Sequence, residues 1–301
     1  MSVIAITGGT GFVGSRLIAI ALEAGHTIRA LTRREQAERE GITWVPGDLS
    51  DTPALAHLAE GADAVIHVAG VVNAPDLAGF ALGNIGGTAN MLAAAEGARV
   101  KRFVHVSSLS AREPEISNYG WSKAEGDKLV EASPLDWSIV RPPAIYGPGD
   151  MEMLDLFKLA KRGLALLPPG GRLSVIHVDD LARLLLALAV SDNCPTILDA
   201  DDGVEGGWSH VEFGRAIGRA MNKRVAAISL PRPLVMAGAM LDRLVRGGKA
   251  KLTPDRAAYF CHQDWVIDPA KRPPANLWTP QVKTEEGLAT TAAWYRQQGL
   301  L

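Results

Sequence analysis

The sequence predicts an α/β protein: a doubly wound parallel sheet with a smaller C-terminal lobe interleaved with it. Three observations carry that expectation. Up to Arg141, short runs that are apolar on both faces alternate with amphipathic helical patterns, as in a parallel sheet covered on both sides. A glycine-rich turn joins the first such run directly to the first helix. Beyond Arg141 the texture changes, and prolines and glycines break up shorter helices.

The elements follow in order. A strand is expected at Val3–Thr7, then a helix at Gly14–Ala24 stopped by Gly25. Strands follow at Thr27–Thr32, Thr43–Val45 and Ala64–Val68. A helix at Gly87–Glu96 closes on Gly97, and strands at Arg102–Ser107 and Trp137–Arg141 complete the first half. Pro142, Pro143, Gly147, Pro148 and Gly149 make a turn-rich exit, and a helix at Met151–Arg162 is broken by Pro168, Pro169, Gly170 and Gly171. Ser174–Val178 returns as a strand, Asp179 and Asp180 cap an apolar helix running from Leu181 to Val190, and Pro195–Leu198 is the last expected sheet strand. The division that results is a sheet domain over 1–141, rejoined by 172–200, and a lobe built from 142–171 and 201–301.

Composition excludes several classes of function. With 301 residues, 47% of them hydrophobic, the chain can bury a large core. A net charge of -2 argues against a nucleic-acid binder. Cys194 and Cys261 belong to no CxxC or Cys/His cluster, so neither a disulfide scaffold nor a structural zinc is expected, and a reducing cytoplasm suits the chain. No metal site is expected elsewhere, because His210 and His262 have no partner at ligand spacing. The opening MSVIAITGGTGFVG lacks the basic segment of a signal peptide. No apolar run reaches the length of about 18 residues that a spanning helix needs.

The first strand runs into Thr7-Gly8-Gly9-Thr10-Gly11-Phe12-Val13-Gly14. In this spacing Gly8 allows the tight turn, Gly11 lets backbone approach a pyrophosphate, and Gly14 lets helix pack on strand. Thr10, Phe12 and Val13 complete a loop whose backbone N–H groups and helix dipole favour phosphate. A dinucleotide is therefore the expected cofactor. At the tip of the second strand the chain reads Leu31-Thr32-Arg33-Arg34, without the carboxylate that would bind a ribose 2′-hydroxyl. Arg33 and Arg34 suit a 2′-phosphate, which favours NADP(H) over NAD(H). The competing reading has the two arginines opening a solvated helix with Glu35, Gln36 and Glu38.

Further on, the strand ending in Ser107-Ser108 precedes Tyr119-Gly120-Trp121-Ser122-Lys123. Tyr119 and Lys123, four apart, share a helix face, and an ammonium beside a phenol lowers the phenol pKa toward the range of a general acid or base. His67, His105, His177 and His26 fall among apolar strand residues and read as core histidines.

With these motifs in place, the chain resembles the short-chain dehydrogenase/reductase superfamily, in its extended, epimerase/dehydratase-like and hydroxysteroid-dehydrogenase-like branch. The resemblance spans nearly the whole chain and includes Gly47-Asp48-Leu49, Val65–Gly70, Asn84–Thr88, Val106–Ser108, Arg141–Asp150 and Val175–Asp180. It implies a Rossmann-type domain in which Asp48 and Leu49 meet adenine, and Val68, Ala69 and Gly70 pass the ribose. Pro142, Ala144 and Ile145 would flank the nicotinamide, with Ser107 beside it. Ser108, Tyr119 and Lys123 would be catalytic. The implied activity interconverts a ketone and a secondary alcohol, favoured as NADPH-dependent reduction of a hydrophobic, lipid- or steroid-like ketone. The alternatives are a nucleotide-sugar epimerase or dehydratase holding NAD tightly, and a non-catalytic dinucleotide-binding subunit. Related enzymes are commonly homodimers. The interval from Ser108 to Tyr119 is shorter than in typical sugar epimerases, which implies a tighter substrate mouth.

One stretch lies outside that pattern. Leu230–Leu252 combines Leu234, Val235, Met236, Met240, Leu241, Leu244 and Val245 with Arg232, Arg243, Arg246, Lys249 and Lys251 against Asp242 alone. The favoured expectation is a lobe helix packing its apolar face inward. The other is a basic amphipathic helix resting peripherally on the inner face of an anionic membrane.

Overall fold

Strand β1 (Val3–Thr7) buries Ile4, Ala5 and Ile6 completely, Ile4 and Ile6 on one side of the sheet and Ala5 on the other. The computed structural model describes residues 1–191, 196–247, 250 and 252–301. Among these, seven strands pair in parallel: β1 with β2 (Thr27–Thr32), β3 (Ile42–Pro46), β4 (Ala64–His67), β5 (Arg102–Val106), β6 (Asp136–Arg141) and β11 (Thr196–Asp199). Their order, β11-β6-β5-β4-β1-β2-β3, reverses between β1 and β4. The crevice beyond the carboxyl ends of the strands at such a switch point is where open α/β sheets hold ligands.

Two cores sandwich the sheet. On one face, Leu17 and Ile18 of α1 (Phe12–Glu23) pack with Leu181, Leu184 and Leu185 of α7 (Val178–Val190). On the other, α2 (Thr52–Ala59), α4 (Gly87–Gly97) and α5 (Asn118–Glu131) contribute Leu55, Leu58, Met91 and Val130. Each fully buried Leu or Ile contributes about 1.5–3 kcal/mol, so these layers hold the site-bearing edge rigid. A third core joins α6 (Leu154–Lys161), α8 (His210–Ala220) and α11 (Thr284–Gln297) around Phe157, Phe213, Ile217, Leu288 and Tyr295.

Most expected elements agree within about three residues, and several expectations need correction. The expected strand at Ser174–Val178 is β10 (Val175–His177), which pairs with β7 (Ala144–Tyr146) and not with the seven-stranded sheet. Asp179 and Asp180 do not cap α7, which already begins at Val178. His177 is its N-cap, with Nδ1 accepting from the Asp179 N–H at 3.2 Å. The two carboxylates hold tertiary partners instead: Asp179 binds Arg16 of α1 at 2.7 Å, and buried Asp180 accepts from the Gln281 and Val282 N–H groups. Nor do Arg33 and Arg34 open a helix: residues 33–40 are turn and irregular chain, and the Thr32 hydroxyl donates to the Arg34 carbonyl at 2.6 Å. Of the last expected strand, Thr196–Leu198 lies in β11, while Pro195 falls outside the described residues.

The stretch after Leu230 forms α9 (Arg232–Arg246), followed by α10 (Pro254–Phe260). The inward-packing expectation fails here. Only Val235 and Ala239 of α9 are buried, against Ala257 of α10, while Leu234, Met240, Leu241, Leu244 and Val245 face outward. A stripe pattern specifies an apolar side but not which way it points. Lys249 and Lys251 lie outside the described residues. Among the described residues, no helix is long and apolar enough to cross a membrane.

Candidate active site

The glycine loop lies at the carboxyl end of β1. Gly8 has φ +73°, and a Cβ there would sit 2.7 Å from the Ala69 N atom, so only glycine lets the 68–70 segment approach. A Cβ on Gly14 would run into the Gly8 carbonyl, which ties the first turn of α1 to the loop. Gly11 is the N-cap of α1 and supplies no side-chain cap, and the first turn carries no acidic residue. That leaves the N-terminal N–H groups around Phe12, Val13 and Gly14 for an external anion, with Thr10 and Gly11 exposed at the turn. The loop fits a pyrophosphate.

The flanking segments converge on it. Thr7 Oγ1 lies 2.8 Å from His67 Nδ1 and accepts from the Ala69 N–H at 3.2 Å, fixing Val68, Ala69 and Gly70 beside the loop. Asp48 follows β3 with its carboxylate bound to the Ser50 hydroxyl and N–H, which holds its pKa below the usual range, with a smaller pull from Arg33. Leu49 packs against Gly87 at the start of α4. Arg33 and Arg34 are exposed just past β2, next to β1 in the sheet. Pro142 accepts from the Leu109 N–H at 2.9 Å, and Ala144 and Ile145 continue as β7. A Cβ on Gly149 would touch the Phe12 ring at 3.3 Å, so the chain after β7 closes over the loop.

The expected Ser, Tyr and Lys meet beside this cradle. Ser108 caps the short 3-10 turn Leu109–Arg112, and its Oγ accepts from the Ser110 N–H and hydroxyl at 3.2 and 2.9 Å. Ser117 caps α5 by accepting from the Gly120 N–H at 3.0 Å. A Cβ on Gly120 would lie 2.8 Å from the Ser110 carbonyl, so glycine lets the start of α5 dock on the serine turn. This docking brings the Tyr119 phenol within electrostatic reach of Ser108. One turn on, buried Lys123 donates from Nζ to the Val106 carbonyl at 2.8 Å, and Nζ lies 3.7 Å from where a Gly70 Cβ would be.

Electrostatics correct one expectation. The Tyr119 pKa is raised, because burial outweighs the opposing pull of the Ser108 hydroxyl. Lys123 is lowered to about 8 by burial, with Asp127 opposing. Below it, Asp127 is raised by burial but binds Arg141 at 2.9 Å, and Ser107 helps hold its charge. His67, pushed to about 3 by burial, is held by Thr7 and Thr88, as expected of a core histidine. His105 stacks on it, with ring centroids 5.5 Å apart.

Sequence reasoning missed the frame that positions these groups. Asn84 sits in a π-helical turn, Ala81–Gly86, between α3 (Leu77–Phe80) and α4. It accepts from the Val71 N–H at 2.6 Å and donates to Ser122 Oγ and the Val71 carbonyl, both at 2.9 Å. It also missed Ser110, and the ring wall of Tyr119, where Phe80 lies 6.2 Å away between centroids. A run of three serines within four residues was the available signal for Ser110.

Comparison with known proteins agrees with this geometry. A family profile described as NAD(P)H-binding matches residues 8–190. The chain is 38% identical to a ceramide reductase of Caulobacter vibrioides, over 99% of this chain and 96% of that protein. It is 28% identical to a 2-alkyl-3-oxoalkanoate reductase of Stenotrophomonas maltophilia, over 95% and 97% respectively. Its fold matches a UDP-glucuronic acid 4-epimerase from Bacillus cereus solved with NAD, at a TM-score of 0.75 and 17% identity over 99% of each chain.

Proposed function

The chain belongs to the NAD(P)H-binding family within the extended short-chain dehydrogenases/reductases and is an oxidoreductase, and from that premise we propose that it reduces a hydrophobic, lipid-like ketone to a secondary alcohol with NADPH. The observation that carries this reading is the Ser108–Tyr119–Lys123 group assembled beside the glycine loop at the carboxyl edge of the sheet. NADPH, when bound, would supply the hydride for the carbonyl carbon. Tyr119 donates its phenolic proton to the substrate oxygen, and Ser108 orients that oxygen by hydrogen bond. The Lys123 ammonium offsets the negative charge left on the phenol and is placed to hold the nicotinamide ribose. Gly8, Gly11 and Gly14 would hold the pyrophosphate, Asp48 and Leu49 the adenine, and Val68, Ala69 and Gly70 the ribose. Pro142, Ala144 and Ile145 line the nicotinamide, and residues 142–171 and 201–301 form the substrate lobe.

Two finer points have separate support. NADPH over NADH is favoured by the exposed Arg33 and Arg34 and by the absence of a carboxylate at the tip of β2. An apolar substrate is favoured by Val72, Leu77, Leu82 and Met151, which are exposed on the segments that border the site. The name of the Caulobacter relative, a ceramide reductase, points the same way.

The test is turnover of long-chain ketones and of UDP-sugars, each with NADPH and with NADH. The expected result is NADPH consumed with a long-chain ketone, and a preference over NADH that shrinks about tenfold or more in an Arg33→Ala/Arg34→Ala variant. A UDP-sugar epimerised without net cofactor consumption would replace this reading with the epimerase one. Cofactor binding with no turnover at all would leave only a dinucleotide-binding subunit.

A further inference from the structure

We propose that α9 is a docking helix that seats the protein on an anionic lipid surface through its outward apolar face. A helix turns about 100° per residue. Leu234, Ala237, Met240, Leu241, Leu244 and Val245 therefore fall on one arc of about 140° that carries no charge. The opposite arc holds all four charged residues, Arg232, Asp242, Arg243 and Arg246, together with Val235 and Ala239, which pack on α10. Leu234, Met240, Leu241, Leu244 and Val245 are 59% to 83% exposed. The usual surface helix turns its charges to solvent and its apolar side to the core; α9 exposes its apolar arc as well as its arginines. A contiguous apolar face of this kind marks an interaction site.

Charge selects the occupant. The helix has three arginines and one carboxylate, and that carboxylate is already engaged: Asp242 Oδ1 lies 3.2 Å from Arg246 Nε, and Oδ2 accepts from the Leu252 N–H at 2.9 Å. A second copy would bring only another helix of the same net positive charge, with no spare acid on it. An anionic bilayer satisfies both features. Acyl chains take the leucines, while exposed Arg243 and Arg232, about 60–80° beyond the Met240 edge of the apolar arc, reach to lipid phosphates.

The helix is also coupled to the reaction centre. It rests on α10, whose Asp255 Oδ1 accepts from the Asn118 N–H at 2.7 Å, one residue before Tyr119. Arg256 and Tyr259 of the same helix sense the Tyr119 charge. Seating α9 in the headgroup layer thus sets a lipid surface one short helix from the phenol. The inference rests on the ketoreductase reading only for what would be delivered; the contact itself needs no substrate.

Flotation tests it, using phosphatidylcholine vesicles with about one third phosphatidylglycerol and vesicles of phosphatidylcholine alone. The wild-type protein is expected to float with the anionic vesicles at low salt and much less with the neutral ones. A Leu241→Glu/Leu244→Glu variant is expected to lose binding by about tenfold or more, while its thermal stabilisation by NADPH stays at the wild-type value. Failure of the wild type to float with anionic vesicles overturns the proposal, as does a variant that floats equally well. So does a lipid-free dimer that the variant converts to monomer, since the face would then be covered by a second copy. Because no ketone is turned over here, a failed reductase assay leaves the flotation result standing.

Discussion

At Tyr119, burial and polar neighbours pull in opposite directions. Burial raises the phenol pKa, so the side chain enters a reduction protonated, which is the form an acid catalyst needs. Lys123 titrates earlier, at about 8, because its ammonium is buried. Above that pH the cation is lost, and with it the charge proposed to offset the phenolate formed as Tyr119 gives up its proton. The kcat/KM for ketone reduction, which reports groups of the free enzyme, is therefore expected to be level near neutrality. It should fall toward a tenfold loss per pH unit above about 8 in a pH-rate profile. A profile level to pH 10 would place the titrating group elsewhere. The Tyr119 and Lys123 pair is legible in the sequence because a spacing of four on a helix fixes a shared face. The sign of the Tyr119 shift is not legible, since it depends on burial by residues such as Phe80, far away in the chain. Asn84 stays hidden for a related reason: its contacts to Val71 and Ser122 exist because the helix widens into a π turn, which no residue pattern announces.

Among the elements, the parallel strands were the most readable part of the chain. Ile4 and Ile6 on one face and Ala5 on the other need apolar residues at every position, and such runs are short and distinctive. The ends of elements were less so. Asp179 and Asp180 have the composition of an N-cap but serve Arg16 and the 281–282 backbone, because tertiary partners outbid a local cap. The loop leading into α1 is the element most sensitive to a single atom. A Gly14→Ala substitution puts a methyl group against the Gly8 carbonyl, and overpacking of this kind costs about 1–3 kcal/mol. The expected outcome is a lowered midpoint in chemical denaturation together with loss of stabilisation by NADPH. An unchanged midpoint and intact NADPH binding would show that α1 can slide away from the loop.

For the molecule as a whole, a net charge of -2 conceals an uneven surface. One edge of the sheet gathers the glycine loop, Ser108, Tyr119 and Lys123, and the lobe beyond it turns the apolar arc of α9 outward, with exposed arginines on the other arc. The sequence contains that helix and its stripe. Its direction emerges only when Val235 and Ala239 are seen to be the residues that meet α10. The central claim, reduction of a lipid-like ketone with Tyr119 as the proton donor, is tested most directly by one paired measurement. Alcohol formed per NADPH consumed is followed with a long-chain ketone for the wild type and for Tyr119→Phe. The account predicts equal amounts of alcohol and oxidised cofactor for the wild type. The variant should bind NADPH as tightly yet turn over about 10²–10⁴-fold more slowly. A Tyr119→Phe enzyme that works at the wild-type rate, or a wild type that binds NADPH and forms no alcohol, would contradict it.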